Sequence, residues 1–393
     1  MKRWLARSLL LLVSTGLGLL VANWAAERWL PLPAMLYRLD DELLFAPVPN
    51  ARRVLPLAPG AGGAWITTEL ESHGFRGAEL RDPKRGPRVL VLGDSLVLAE
   101  TSPLEETYCV RLAQELEGAP EVLNAGVSGY GPDQECLRLE QLLGPLAPDL
   151  VVIVLCAHND FGDLVRDKLF RLDNREELVR NHPTLDHELL QRAEAARRIS
   201  RPPALWLALE RLRARADPAG EKESPALIDL YLQGAQAEYT EFVTWRDDVV
   251  RSLTEDYYDA DVAIRPESES AQFKQRLMER VLGRVRDDCK RRQVPLFALV
   301  VPTSVDLCPG FRIHVDPARH PSWSPTRITD ALASILERLG IAHLDLTPAF
   351  REHGAEQLYL GRGDFHWNAA GEELGAARSV EFLRQHALWP LRR

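Results

Sequence analysis

Leu150-Val-Val-Ile-Val-Leu155 is a nearly unbroken apolar, β-branched run that ends in Ala157-His158-Asn159-Asp160. A strand with one wet face alternates polar and apolar residues; a run without that alternation is buried on both faces, as a central strand of a parallel sheet is. Upstream, Arg88-Val-Leu-Val-Leu92 has the same character, ends in Gly93-Asp94-Ser95, and is followed by helical spacing over Leu104 to Leu116. Val122-Leu123 is a shorter strand that ends in Asn124-Ala125-Gly126-Val127-Ser128-Gly129, with a helix over Asp133 to Leu143. Downstream, Pro295 to Val301 and Ile341 to Leu346 read as strands, a helix around Thr326 to Leu339 lies between them, and a last helix begins near Asn368. Strands alternating with helices predict an α/β fold, a three-layer doubly wound parallel sheet.

The rest of the 393 residues is consistent with a large core: 46% are apolar and 27% charged, which excludes collagen-like, low-complexity and wholly disordered chains. Forty-eight Lys and Arg against 57 Asp and Glu give a net charge of −9 with no basic block, so no nucleic-acid partner is expected. The five cysteines, 109, 136, 156, 289 and 308, have no C-x-x-C spacing, and no metal or other cofactor is expected. An odd number leaves at least one unpaired within the chain, and Cys156, inside the apolar run, reads as a small buried residue.

Lys2, Arg3 and Arg7 precede Leu9 to Ala26, a stretch in which Asn23 is the only strongly polar side chain, with Trp24 and Trp29 placed as interface anchors. An uncleaved membrane anchor over residues 1–30 is preferred to a signal peptide because no A-x-A-like cleavage site stands out. A buried core helix would leave the basic flank unexplained. The positive-inside bias then puts the rest of the chain outside the cytoplasm, in a periplasmic or extracellular space where disulfides are permitted.

Residues 31–87 read as a linker and N-terminal extension. Pro31, Pro33, Pro47, Pro49, Pro56 and Pro59 suggest a stalk without a compact unit, Ile66 to Glu69 an added edge strand, Ser72 to Gly77 a turn and Arg81 to Pro87 a polar connection. Residues 88–163 and 276–393 form the two parts of the catalytic domain. Between them, 164–275 is a mainly helical insertion with no good strand. There Leu205, Leu209 and Leu212, and Tyr239, Phe242, Trp245 and Val249, mark apolar faces. Packing on one another or on the main domain is the favoured reading and a substrate lid the alternative. His182 and His187 flank Asp186, but Pro183 disfavours a helical metal arrangement and no matching ligand cluster is visible. Gly60, Gly62 and Gly63 lack the Lys-Ser/Thr of a phosphate loop and read as linker.

In open parallel sheets ligands bind beyond the carboxyl ends of the strands, which selects Ser95, the Asn124–Gly129 turn and Asn159. A serine hydroxyl needs a base to act as a nucleophile. Gly363-Asp364-Phe365-His366-Trp367-Asn368 supplies one, and in extended backbone Asp364 and His366 face the same way while Phe365 points elsewhere. Each residue also has a plainer reading: Ser95 as a helix N-cap, Asn159 as a turn residue, Asp364 as a cap of the last helix, His366 as a buried histidine. The functional reading explains why they fall together at one predicted sheet edge. Asp94 and Asp160 read as carboxylates that brace their loops.

Gly93-Asp94-Ser95-Leu96 resembles the first block of the SGNH, or GDSL, hydrolases, and Asn124–Gly129, Asn159-Asp160 and the Asp364/His366 segment resemble the later blocks in the right order. The resemblance spans about 88–163 and 290–385. It implies a flavodoxin-like SGNH hydrolase fold with Ser95 as nucleophile, His366 as general base and Asp364 as the acid that orients it. The oxyanion donors it implies are the backbone N–H groups of Ser95 and Gly129 and the Asn159 amide. Three features differ from the family pattern or leave it open. One residue, rather than two, separates the acid from the histidine; His158 stands where a glycine is often found; and Gly126 competes with Gly129.

Such a site would cleave an O-acyl ester through an acyl-serine. Three functions are compatible with these residues. The first is a membrane-anchored extracytoplasmic esterase acting on an ester-bearing small molecule, lipid or glycan. The second is an O-acyltransferase modifying a cell-envelope or exported glycan, which would require a separate membrane partner to carry the acyl donor. The third is a catalytically silent glycan-binding protein on the same scaffold.

Overall fold

Five strands, β1 (Arg88–Leu92), β2 (Glu121–Asn124), β3 (Leu150–Cys156), β4 (Leu296–Val301) and β5 (Ala342–Asp345), form one parallel sheet in the order β2-β1-β3-β4-β5. This is the flavodoxin-like doubly wound order, and it reverses direction between β1 and β3. The computed structural model describes residues 2–29, 36–56, 65–185, 226–244, 249–250, 257–361 and 363–389. All seven residues of β3 are buried, so the strand has no wet face and its sequence has no reason to alternate.

Helices cover both faces of the sheet. Helix Tyr108–Glu115 packs with Ala369–Gln385 on one side, and Glu269–Arg291 packs with Pro132–Leu146, Asp160–Asp167 and Arg327–Leu339 on the other. Helix Glu269–Arg291 starts where the Ser268 hydroxyl accepts the Ala271 N–H, and it carries Lys290 and Arg291 in its last turn, where cations favour the helix dipole. It runs through residue 276, where the sequence reading placed a boundary.

Two expectations need correction. The insertion does contain strands: Phe170–Leu172 pairs antiparallel with Leu178–Arg180, and Thr184–Leu185 pairs with Val249–Val250. Segments of two or three residues are too short to show a period. On helix Ala226–Thr244, Tyr239 and Phe242 are buried with their rings against Phe273, so this apolar face packs on helix Glu269–Arg291. Leu205, Leu209, Leu212, Trp245, Asp186 and His187 lie outside the described residues.

The second correction concerns the proline-rich stalk. Tyr37–Asp40 and Leu44–Pro47 form one hairpin, Arg52–Pro56 and Trp65–Glu69 another, and Leu36, Leu43 and Phe45 are buried. Gln134 Nε2 donates to Leu43 O at 2.6 Å and the Tyr130 hydroxyl donates to Phe45 O at 2.7 Å, which docks the first hairpin on the α/β domain. Pro47 and Pro56 end strands, where a missing N–H disturbs the ladder little, so these two prolines are compatible with strands; Pro31, Pro33 and Pro59 lie outside the described residues. The predicted edge strand at 66–69 exists but pairs within its own hairpin; contact with the sheet edge comes from Arg76, bridged to Asn124.

Helix Lys2–Trp29 includes a span, Ala6–Ala25, of 20 residues with mean hydropathy 1.7 and none of it buried in the protein. It is long and apolar enough to cross a membrane. The Trp24 side chain is exposed, and that of Trp29 is outside the described residues. All five cysteines are buried free thiols.

Candidate active site

Ser95 opens a single turn of helix, Ser95–Leu98, directly after β1. The N-cap of that turn is Asp94, whose Oδ1 accepts the Leu96 N–H at 2.8 Å, so the Ser95 hydroxyl is not consumed by capping. Gly93 makes the turn possible: a Cβ there would lie 2.3 Å from Val97 Cγ2, a separation no side chain can tolerate.

The histidine arrives from the other end of the chain on the hairpin Tyr359–Gly361/Asp364–Trp367. His366 Nε2 lies 2.8 Å from Ser95 Oγ, and His366 Nδ1 lies 2.6 Å from Asp364 Oδ1, which also accepts the His366 backbone N–H at 3.0 Å. One intervening residue is therefore enough, because extended backbone turns positions i and i+2 to the same side and a single carboxylate oxygen takes both donors. The last helix is capped by Asn368, which accepts from Ala370 N and Gly371 N; Asp364 is not spent on that task. Trp367, buried, donates Nε1–H to Leu96 O at 3.1 Å and ties the hairpin to the turn that carries Ser95. Burial raises the Asp364 carboxyl, but the hydrogen bonds and charge of His366 outweigh it and hold it below the ordinary carboxylate range.

Phe365 does not simply point away. Its ring stacks on His158 at 4.0 Å and 9°, and on His366 at 4.5 Å and 19°, so His366 is one end of a three-ring pile. At the other end His158 Nδ1 is 2.9 Å from Thr303 Oγ1, just past β4. Burial, reinforced by the positive charge of His366 and Arg166, pushes His158 down to about 3, so this imidazole is neutral near pH 7. Thr303 satisfies the strand-end rule that selected Ser95 and Asn159, and applying that rule to β4 would have found it. The role of His158 had no local signal.

The loops after β2 and β3 place the candidate oxyanion donors on either side of β1. In the first, Ala125 N donates to Val91 O, Gly126 N to Asn124 Oδ1, Val127 N to Gly93 O, Ser128 N to the Tyr37 hydroxyl, Tyr130 N to Val127 O and Gly131 N to Gln134 Oε1. Gly126 is thus committed, and its own lack of a side chain serves packing, since a Cβ would lie 2.5 Å from Leu98 N. No such bond engages the Gly129 N–H among the described residues, which leaves it the donor the loop can offer. In the second loop Asn159 is buried and donates Nδ2–H to Asp163 Oδ2 at 2.9 Å; Asp163 in turn pairs with Arg166. That amide carries a second N–H. Asp160 accepts the Cys156 N–H at 2.7 Å and braces the loop; burial, with the charges of Glu135, Asp94 and Asp163, raises it well above its ordinary value.

Residues 257–391 match a family described as the SGNH hydrolase-like domain of the acetyltransferase AlgX. Over that stretch the chain is similar to an SGNH hydrolase-like domain. The SGNH resemblance read from four short blocks is borne out. The matched stretch contains Asp364 and His366; the Ser95 block lies upstream of it. Among solved structures, an acetyl xylan esterase is 11% identical with a TM-score of 0.38, over 75% of this chain and 98% of that one. The psychrotrophic esterase EstA from a Pseudoalteromonas species is 12% identical with a TM-score of 0.36, over 77% and 98%. A two-domain esterase active on acetylated mannans is 12% identical with a TM-score of 0.37, over 76% of this chain and 49% of that one. No curated protein sequence matches the chain.

Proposed function

We propose that this protein is a serine enzyme acting on O-acyl esters, anchored by its N-terminal helix and working outside the cytoplasm as an esterase. The observation that carries the reading is the continuous relay from Ser95 Oγ through His366 to Asp364, at 2.8 and 2.6 Å. Ser95 Oγ attacks the ester carbonyl as its proton passes to His366 Nε2. The C–O bond to the alcohol then breaks, and the alcohol leaves with that proton. Water attacks the acyl-Ser95 by the same route in reverse, releasing the acid and restoring the serine. Asp364 stays anionic throughout and stabilises the imidazolium. The Ser95 and Gly129 N–H groups and the Asn159 amide receive the negative charge on the tetrahedral oxygen.

A second reading is favoured by the acetyltransferase description of the family matched by 257–391: the acyl group passes to a glycan hydroxyl instead of water. The relay is identical and only the second nucleophile differs. The anchor bears on both readings through distance. Seven residues separate Trp29 from Tyr37, whose hydroxyl touches the loop carrying Gly129. Eight Cα steps reach at most about 29 Å, so the site stays close to the end of the helix.

A fluorophosphonate probe tests the reading. Labelling of the wild-type chain that disappears in Ser95→Ala supports an acyl-serine enzyme, and no labelling of folded protein favours the silent glycan-binding alternative. Supplying an acyl ester with and without a sugar acceptor then separates free acid from acylated sugar.

A further inference from the structure

An oxyanion donor must be aimed before the reaction, and a backbone N–H is aimed only if the peptide carrying it is held. The Gly129 N–H belongs to the Ser128–Gly129 peptide. Tyr130 N donates to Val127 O at 3.1 Å, Gly129 has φ +81° and Ser128 does not have positive φ, so residues 127–130 form a type II turn. Rotating the central peptide by half a turn converts type II to type I and reverses the direction of that N–H. Glycine at position 129 suits the type II form without excluding type I, so the loop's own sequence favours this aim but does not lock it.

The choice is enforced from elsewhere. Tyr37 Oη accepts the Ser128 N–H at 3.1 Å, and the Ser128 hydroxyl donates to Glu100 at 3.0 Å. On the other side of Gly129, the Tyr130 hydroxyl donates to Phe45 O, and the Tyr37, Phe45 and Tyr130 rings meet edge to face at 5.6 and 5.1 Å. Both neighbours of Gly129 are therefore gripped by one hairpin, Tyr37–Asp40/Leu44–Pro47, whose first residue comes eight positions after the end of the N-terminal helix. We infer that Tyr37 is a positioning residue for the Gly129 oxyanion donor, so that the hairpin Tyr37–Asp40/Leu44–Pro47 is a working part of the site. This rests on the acyl-serine reading above. Burial, aided by the charge of Glu100, raises the Tyr37 phenol, which stays protonated and keeps its acceptor lone pairs available to Ser128.

The test uses the full-length chain with a short-chain aryl ester and an alkyl boronic acid, whose tetrahedral adduct on Ser95 carries the negative charge. Tyr37→Phe removes the acceptor and keeps the ring. Its kcat falls about tenfold with KM within about twofold, and inhibition by the boronic acid weakens by the same factor as kcat/KM. Tyr130→Phe, which releases the other side of the turn, moves kcat and inhibition in the same direction. A melting temperature close to wild type separates aiming from folding. A Tyr37→Phe chain with kcat within about twofold of wild type, or with unchanged boronate inhibition, overturns the inference while leaving the esterase reading intact. A wild-type chain that neither turns over the ester nor takes the fluorophosphonate label removes both.

Discussion

His366 Nε2 stands 2.8 Å from Ser95 Oγ across 271 positions of sequence. Each partner is itself constrained: the serine by a turn that Asp94 caps, the histidine by Asp364 and by the ring of Phe365. The contact is thus between two preorganised ends, and perturbing either end has a separable consequence.

Asp364→Asn keeps the shape of the acid and removes its charge, and the amide no longer selects the imidazole tautomer. A fall in kcat of about 10³- to 10⁴-fold with little change in KM is expected, measured on the same aryl ester. Asn159→Ala removes an oxyanion donor instead and should cost about 10²- to 10³-fold.

His158 is neutral, buried and stacked, so its contribution is the ring rather than a proton. His158→Phe preserves the pile on Phe365 and should keep kcat within about threefold, whereas His158→Gly should lower it about tenfold, the rate equivalent of losing roughly 1.4 kcal/mol of aromatic contact. In neither variant should the acidic limb of the pH–rate profile move; a shift of that limb in His158→Phe would show that His158 titrates.

Glu372 offers a stability test at a residue outside the proposed catalytic groups. It accepts the Tyr108 N–H at 2.6 Å and the Ser102 hydroxyl, and burial, opposed by those bonds and by the Arg76 charge, pushes its carboxyl up to about 8. The folded state then holds this proton more tightly than the unfolded chain. The stabilisation is complete below the ordinary glutamate value of 4.5 and is lost as pH rises toward 8. Glu372→Gln should flatten the fall in melting temperature over that window and be the more stable chain at its upper end.

Gly126→Ala tests the close packing under the oxyanion loop. The added methyl would meet the Leu98 N at 2.5 Å, and backbone cannot move aside as a side-chain tip can. A loss of about 1–3 kcal/mol in denaturant unfolding is expected. Gly129→Ala should instead strain the left-handed turn residue directly, with activity falling before stability.

The strands of the sheet, the loops at their carboxyl ends and the apolar N-terminal helix were legible in the residues because those features are local. An unbroken β-branched run marks β3, glycine marks tight turns, and an i, i+2 spacing in extended backbone puts Asp364 beside His366. Of the two hairpins at 36–69, only the strand at 66–69 was legible. Short strands with prolines at their ends carry no period, and what holds them is burial of Leu43 and Phe45 against distant residues. Only the tertiary structure decided that Ser95 meets His366, that Gly129 rather than Gly126 keeps a free N–H, and that Tyr37 reaches the oxyanion loop. Those relations depend on how the sheet orders its strands and where a docked hairpin lands, and no stretch of the chain contains both partners.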